Sequence, residues 1–287
     1  MSGIQCGIDH RAKSTDQRIY VCCPEPGNVL PNERICGQGP PVQKIMHGDE
    51  ARLNEMPWIA LLLYHNPWTK CAGSLINSRY VLTAAHCVDR DDVRAIRLGE
   101  HDTSTEDDYG MQINGLRSWA PNPLEVEVEK SIIHPDFNWH HLRNDIALLR
   151  LKLPVRYTPA ISPICLLGRH ISLEPYSVAA EYKIAGWGYT ERDRGSNVLL
   201  KTNIMRVHHV KCNRKHKLLQ ETQICAGGQW GRDTCKGDSG GPLMASLGKD
   251  FVYLAGITSY APSKCGQPGV YTKTESFIYW IKYMLRP

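Results

Sequence analysis

The sequence lacks any long apolar run. No stretch of about 18 apolar residues occurs among its 287 residues, so it offers no transmembrane helix and we expect no membrane partner. The first residues, MSGIQCGIDHRAK, also lack the apolar run of roughly 7–15 residues that a secretory signal peptide requires. Either export is unconventional or the sequence is incomplete at its N-terminus.

A large excess of one charge is also missing. The 34 Lys and Arg residues stand against 29 Asp and Glu residues, and the formal net charge is +5. Nucleic-acid-binding proteins are more strongly basic, so we expect no nucleic-acid partner. The basic run at 211–217, KCNRKHK, is interpreted as a solvated surface, with a cofactor or polyanion site as the alternative.

Zinc-binding motifs are absent as well. The chain has 11 cysteines, but none of them has C-x2-C spacing. The histidine pairs at 140–141 and 208–209 lack the i, i+4 spacing of a helical zinc site. We therefore interpret the cysteines as disulfide partners in an oxidising compartment, which predicts a secreted, extracellular protein. Because 11 is an odd number, one thiol lacks a partner within this chain.

Helix-forming patterns are scarce, and turn formers are common. With 24 Gly, 18 Pro and only 3 Phe, the composition predicts many short strands and excludes a helical bundle. One amphipathic stretch, 276–285, predicts a C-terminal helix. The predicted fold is all-β, a sandwich or a barrel of two halves. Its most evident strands are 58–64, 74–85, 146–151, 182–188, 251–260 and 269–272.

The N-terminal part of the chain has a different composition. Five prolines and three glycines fall between Cys23 and Lys44, which excludes a continuous helix or central strand there. We predict a short N-terminal piece at 1–23, a linker at 24–44 and a large β domain at 45–287.

Three short motifs carry residues suited to acyl transfer. GDSGGP at 237–242 sets Ser239 among glycines, where the backbone can turn sharply and bring N–H groups close to a substrate carbonyl. A serine hydroxyl needs a base, and TAAHC at 83–87 offers His86. A third group must fix the tautomer of the imidazole, and NDIALL at 144–149 offers Asp145.

In this order and at these separations the motifs resemble those of the trypsin/chymotrypsin family of serine proteases, from Ile45 to Pro287. The resemblance implies two packed antiparallel β-barrels with a C-terminal helix. It implies that Asp145 holds His86, that His86 deprotonates Ser239, and that the backbone N–H groups of Gly237 and Ser239 form the oxyanion hole. It requires no cofactor for catalysis.

The resemblance also assigns a specificity pocket. Asp233 would lie at its base and favour Arg or Lys before the cleaved bond through a charge-assisted hydrogen bond. Gly269 would keep the pocket open. Its wall reads Ser259-Tyr260-Ala261, where the family usually has Ser-Trp-Gly, so the methyl group of Ala261 would narrow the entrance.

KIMHG at 44–48 is similar to the activation site of the family. Cleavage after Lys44 would free the α-amino group of Ile45, which would insert beside Asp238 and order the oxyanion hole. The alternative is a basic residue in an ordinary loop. Met46 and His47 replace the commoner Val-Gly.

The cysteines are assigned by resemblance. The implied pairs are Cys71 with Cys87, Cys212 with Cys225, Cys235 with Cys265, and Cys36 with Cys165, the last tethering a cleaved prodomain. Cys6, Cys22 and Cys23 resemble the end of a CLIP domain, the disulfide module of arthropod immune and developmental proteases, which normally has six cysteines. Residues 1–23 are interpreted as a remnant of that module.

An acidic loop follows the first catalytic motif, at 100–108. It resembles the calcium loop of such proteases, and Glu100, Asp102, Thr105 and Asp108 offer oxygen ligands suited to a structural calcium ion. A solvated acidic loop without metal is the alternative.

Together these features predict a secreted trypsin-like zymogen in an arthropod extracellular cascade, such as melanisation or Toll-pathway activation. Its expected partners are a protein substrate, either a downstream zymogen or a cytokine precursor, an upstream activating protease and a serpin inhibitor. The competing interpretation is a regulatory, non-catalytic scaffold in the same cascade.

Overall fold

The structure is a computed structural model, and β-strands dominate it, as predicted. It describes residues 4–8, 19–22, 27–38, 49–66, 71–106, 108–111, 117–166, 181–188, 195–213, 219–228, 238–247, 251–260 and 267–287. Its helices are α1 (His209–Asn213) and α2 (Ile278–Met284). The strands of the described part, in chain order, are β1 (Ile4–Ile8), β2 (Ile19–Cys22), β3 (Asp49–Glu50), β4 (Ile59–Tyr64), β5 (Cys71–Asn77), β6 (Tyr80–Thr83), β7 (Val93–Leu98), β8 (Tyr109–Met111), β9 (Arg117–Trp119), β10 (Leu124–Ile133), β11 (Ala147–Leu151), β12 (Cys165–Leu166), β13 (Glu181–Gly186), β14 (Leu200–Met205), β15 (Gln223–Gly227), β16 (Pro242–Leu247), β17 (Phe251–Tyr260) and β18 (Pro268–Lys273).

Six strands close into a barrel, in the order β10-β11-β6-β5-β4-β7. All neighbouring strands in it are antiparallel. Its interior is filled by fully buried aliphatic side chains, including Leu75, Leu82 and Leu148. Burial of such branched side chains is the main force that holds a sheet closed on itself.

A second sheet of eight strands packs against this barrel. Its order is β15-β18-β17-β16-β13-β14-β3, and β12 pairs with β17. A separate buried cluster at its centre includes Tyr182, Ile204, Leu243 and Tyr271. The strand pair β1–β2 forms its own two-stranded sheet, as does β8–β9. Together with α2, the two large sheets give the fold that was predicted.

Helix α2 follows a turn of 3-10 helix at Thr274–Phe277. Ile278 and Ile281 are buried, whereas Tyr279 and Tyr283 are exposed, so one helical face packs inward as the sequence predicts. Phe277 meets the ring of His134 edge-on, with 5.2 Å between ring centroids. No helix of the described residues is long and apolar enough to cross a membrane.

Residues 27–38, the linker segment, lie along the surface of the barrel and the second sheet. The Asn77 side-chain amide donates to the carbonyl oxygens of Gly27 and Val29, at 2.7 and 3.1 Å. The N–H of Gly37 donates to the carbonyl of Pro163, and the N–H of Val252 donates to the carbonyl of Gly37. The linker segment is therefore held by the closed barrel and by the second sheet together.

Candidate active site

His86 is placed by the end of strand β6. A single turn of 3-10 helix, Ala85–Cys87, follows the strand and directs the imidazole out of the barrel. The disulfide between Cys71 and Cys87 fixes this turn to β5. The side chain of His86 is 17% exposed, so it remains accessible from solvent.

Asp145 is fully buried and accepts three hydrogen bonds through its side chain. Its Oδ2 lies 2.8 Å from Nδ1 of His86, and its Oδ1 accepts from the backbone N–H of His86 at 2.9 Å. The Ser259 hydroxyl also donates to Oδ2. A buried carboxylate is costly unless such donors replace water, and these donors fix its orientation toward the imidazole.

The loop of the predicted nucleophile Ser239, Asp238–Gly241 (the nucleophile loop), lies where the barrel meets the second sheet. The carbonyl of Ser239 accepts from the N–H of Ala72 in β5 at 2.8 Å, and the N–H of Gly240 donates to the carbonyl of Thr258 in β17 at 2.8 Å. Gly240 has a φ of +76°, and a Cβ there would lie 2.2 Å from Oγ1 of Thr83. Only glycine fits this position, which explains part of the GDSGGP motif.

Asp238 turns its carboxylate toward the end of β13. Its Oδ1 accepts from the N–H of Gly188 at 2.9 Å. A Cβ at Gly186 or Gly188 would lie within 2.5 Å of the same carboxylate. Two glycines therefore leave room for a carboxylate that enters the protein from the nucleophile loop.

Several predicted site residues fall outside the described residues. These are Lys44, Ile45, Asp233, Gly237, Ala261 and the pair Cys235 and Cys265. Gly269 lies in β18, is buried, and pairs with Ala226 across the ladder. Ser259, predicted as pocket wall, is buried in β17 and bonds to Asp145.

Of the four disulfides implied by the resemblance, three lie among the described residues and are formed there; the fourth pair lies outside them. The three are Cys36–Cys165, Cys71–Cys87 and Cys212–Cys225. The first joins the linker segment to β12 over a sequence separation of 129 residues. If the chain were cut between these two cysteines, the disulfide would keep the N-terminal piece attached to the rest of the protein.

The acidic loop is stabilised by donors from the protein itself. Both carboxylate oxygens of Asp108, which is buried, accept backbone N–H groups: Oδ2 from His101 at 2.8 Å and Oδ1 from Asp102 at 2.9 Å. Glu100 is also buried; its Oε2 accepts from Arg97 at 3.1 Å and its Oε1 from the N–H of His101 at 3.0 Å. Burial raises the pKa of Glu100, against the opposing effect of Arg97.

In this arrangement the four predicted ligands do not fit a calcium ion. Oδ1 of Asp102 accepts from both the N–H and the hydroxyl of Ser104, and a guanidinium already faces Glu100. Within the described ranges, the group whose ligand atoms lie close enough to hold a metal is Cys71, His86 and Cys87. Two of these are joined in a disulfide, so this is no metal site. The geometry of the loop therefore gives no support to the predicted calcium site.

Two residues that contact the site were not identified from the sequence. The hydroxyl of Thr272 in β18 donates to the backbone carbonyl of Asp145 at 2.8 Å. The hydroxyl of Thr83 donates to the carbonyl of Ala72 at 2.7 Å, beside the nucleophile loop. Thr83 opens the TAAHC motif, but nothing near Thr272 in the sequence signals its contact, since 127 residues separate it from Asp145.

A buried carboxylate holds an imidazole at the end of a barrel strand, and the loop of a glycine-flanked serine lies where the barrel meets the second sheet. This is the class of site that trypsin-like serine proteases have. The chain belongs to the trypsin family, whose model, described as Trypsin, matches residues 45–281.

Its similar proteins are proteases of insects. Spaetzle-processing enzyme of Drosophila melanogaster is 40% identical over 331 aligned residues, which cover 100% of this chain and 82% of the relative. CLIP domain-containing serine protease HP8 of Bombyx mori is 36% identical, with 98% and 83% covered. The crystal structure of Drosophila Grass, a clip serine protease of the Toll pathway, has a TM-score of 0.75 and 36% identity, and the match covers 86% of this chain and 73% of Grass. The predicted resemblance to arthropod CLIP-domain proteases is confirmed.

Proposed function

We propose that the chain is the zymogen of a secreted serine endopeptidase that cuts proteins after Arg or Lys. The observation that carries the proposal is the buried carboxylate of Asp145, which binds both nitrogens that His86 presents to it, the ring Nδ1 and the backbone N–H. This arrangement leaves Nε2 of His86 as the nitrogen available for proton transfer.

In the proposed reaction, Ser239 Oγ attacks the scissile carbonyl carbon while Nε2 of His86 takes the hydroxyl proton. The N–H groups of Gly237 and Ser239 stabilise the oxyanion. The C–N bond then breaks as His86 returns the proton to the leaving amine. A water molecule, deprotonated by His86, hydrolyses the acyl-enzyme and restores Ser239. No step requires a cofactor.

The remaining assignments follow the family pattern. Asp233 would pair with the basic side chain of the substrate, and cleavage after Lys44 would let the new ammonium of Ile45 pair with Asp238. The space that Gly186 and Gly188 leave at the Asp238 carboxylate supports this pairing.

The relatives support a place in an extracellular cascade. Their names include Spaetzle-processing enzyme, Melanization protease 1 and Phenoloxidase-activating enzyme. We therefore propose a downstream zymogen or cytokine precursor as substrate, an upstream protease as activator, and a serpin as inhibitor. Three disulfides agree with the proposed secretion.

The test is controlled activation. Residues 40–44 are replaced by the enteropeptidase sequence DDDDK, so that the cut falls before Ile45. Turnover of matched Arg, Lys and Phe peptide esters is then measured before and after cleavage. We expect activity only after cleavage and only on the Arg and Lys esters.

Three variants serve as controls. Ser239→Ala should fold and be cleaved but stay inactive, and Asp145→Asn should lose roughly 10⁴-fold in kcat because the imidazole would present the wrong tautomer. Asp233→Ser should remove the preference for basic esters. A cleaved wild-type protein without turnover would contradict the proposal and favour the scaffold; a preference for Phe would contradict the pocket.

A further inference from the structure

The loop that carries Asp145 has an unusual backbone. It connects β10 to β11, and two of its residues are left-handed, Leu142 with a φ of 45° and Asn144 with a φ of 52°. Asn tolerates this region, but a leucine there is strained because its Cβ approaches the backbone. Such a conformation persists only when neighbouring groups hold it in place.

One neighbouring group is the side chain of Gln223, the first residue of β15. Its Nε2 donates to the carbonyl of Leu142 at 3.2 Å, and its Oε1 accepts from the N–H of Gln220 at 3.0 Å. Gln223 is 4% exposed. Only the oxygen of the Gln223 amide can accept from the backbone N–H of Gln220. This contact therefore fixes the orientation of the amide and directs its NH₂ group at the carbonyl of Leu142.

A second residue of the same sheet also bonds to the loop. Its cross-strand partner in β18 is Thr272, whose hydroxyl donates to the carbonyl of Asp145. One cross-strand pair of the second sheet therefore bonds two carbonyls of the loop, at Leu142 and at Asp145, on either side of Asn144. The loop itself belongs to the barrel, so this pair links the two halves of the fold at the catalytic carboxylate.

We propose that Gln223 is a positioning residue of the catalytic site, which holds Leu142 in its left-handed conformation and thereby sets the direction in which Asp145 faces His86. The proposal rests on the proposed function, because the carboxylate it positions is the one assigned to catalysis. Loss of the Gln223 amide lets the loop relax at Leu142, and the bond between Asp145 Oδ2 and His86 Nδ1 is then less well aligned.

The main test is Gln223→Met in the cleaved protein, because methionine keeps the volume and removes both hydrogen-bonding groups. We expect kcat on a short Arg ester to fall about tenfold, with KM within about twofold, since misalignment acts on the chemical step. The low-field proton resonance of the His86–Asp145 hydrogen bond should shift or broaden.

The matched control is Ile224→Val, at the next residue of β15. Ile224 is buried, so the variant loses stability by creating a small cavity without touching the loop. It should lower the unfolding midpoint while leaving kcat and the low-field resonance unchanged. A tenfold loss of kcat in this control, or an unchanged kcat in Gln223→Met, would overturn the proposal.

A second variant keeps the test decisive if Gln223→Met folds poorly. Leu142→Gly removes the cost of the left-handed backbone, so the loop should depend less on the amide. In that background Gln223→Met should lower the unfolding midpoint by less than it does in the wild-type chain. Additive effects would refute the strain argument. If the wild-type protein proves inactive, the resonance still tests the positioning, so the two proposals fail separately.

Discussion

Ser259 lies 114 residues from Asp145 in the chain, yet its hydroxyl donates to the carboxylate oxygen that also binds His86 Nδ1. Ser259 belongs to β17 of the second sheet, whereas Asp145 precedes β11 of the barrel. The carboxylate therefore has all its hydrogen bonds only when the two halves of the fold pack together. Substitutions in either half should alter its orientation.

Ser259→Ala removes one of the three side-chain hydrogen bonds of the buried carboxylate. We expect kcat/KM to fall about ten- to hundredfold, because a lost bond to a buried charged group costs about 1.5–3 kcal/mol. Steady-state kinetics on an Arg ester measures the change. Ser246→Ala, at an exposed position of β16, is the control and should have no effect. Equal activities of the two variants would contradict a role for Ser259.

Gly240→Ala should disrupt the nucleophile loop. A methyl group there would meet Thr83 Oγ1 at 2.2 Å and the Ala72 carbonyl at 2.4 Å, on a left-handed backbone. We expect a loss of about 3 kcal/mol or more in the free energy of unfolding. Gly195→Ala is the control, because its Cβ would come no closer than 3.6 Å to the carbonyl of Trp187. Urea denaturation compares the two, and similar midpoints would refute the steric argument.

Lys183→Met should stabilise the protein near neutral pH. Lys183 and Lys201 share one carboxylate, that of Glu55, whose side chain is 11% exposed, and burial lowers the pKa of Lys183 below its usual 10.5. The pKa of Lys183 is lower in the folded protein than in the unfolded chain. The charged amine therefore destabilises the folded protein, and this destabilisation is full at pH values below the folded pKa. It disappears as pH rises through the unfolded value.

Calorimetry between neutral pH and pH 10.5 tests whether Lys183→Met stabilises the protein. The gain in unfolding midpoint should be largest near neutral pH and shrink toward pH 10.5. Lys152→Met is the control, since Lys152 is exposed and its hydrogen bond to Glu127 raises its pKa instead. It should give no gain. A destabilised Lys183→Met protein at neutral pH would show that attraction to Glu55 outweighs desolvation.

Calcium should leave the unfolding midpoint unchanged. The oxygens of Glu100 and Asp108 are occupied by Arg97 and by backbone N–H groups, so a cation would have to displace a guanidinium. The measurement compares thermal unfolding in millimolar calcium and in EDTA. Arg97→Met removes the competing charge and is the variant in which a calcium response should appear first. A rise of several degrees in the wild-type protein would show that the loop rearranges around the ion.

Most of the evident strands of the sequence are present in the structure. The predicted strand 74–85 is an exception: it is divided into two antiparallel strands, because β5 ends at Asn77 and the chain turns before β6 (Tyr80–Thr83). The predicted strand 251–260 coincides with β17, and the predicted helix at 276–285 appears as a 3-10 turn followed by α2. Strand β10 was not predicted. Its first six residues, LEVEVE, alternate apolar and acidic side chains, so the period of a strand was present in the sequence and was overlooked. The three glutamates are exposed and form salt bridges to Arg97, Lys152 and Arg79.

Within the site, too, some residues could be predicted from the sequence and others could not. His86 and Asp145 could be predicted because each lies in a short motif of adjacent residues that is recognisable in the sequence. The contacts of Ser259, Thr272 and Gln223 with the Asp145 loop depend on how two sheets pack, and residues more than 80 positions apart leave no local signal.

The attachment of the linker segment limits how far a cut chain can separate. Gln38 is held by a bridge to Phe251, and six residues lead from it to the end of Lys44. Even fully extended, six residues span only about 20 Å. A cut after Lys44, as proposed, would therefore leave the new carboxyl terminus within this radius of β17. The cleaved molecule would then carry its own product end as a tethered group beside the second sheet.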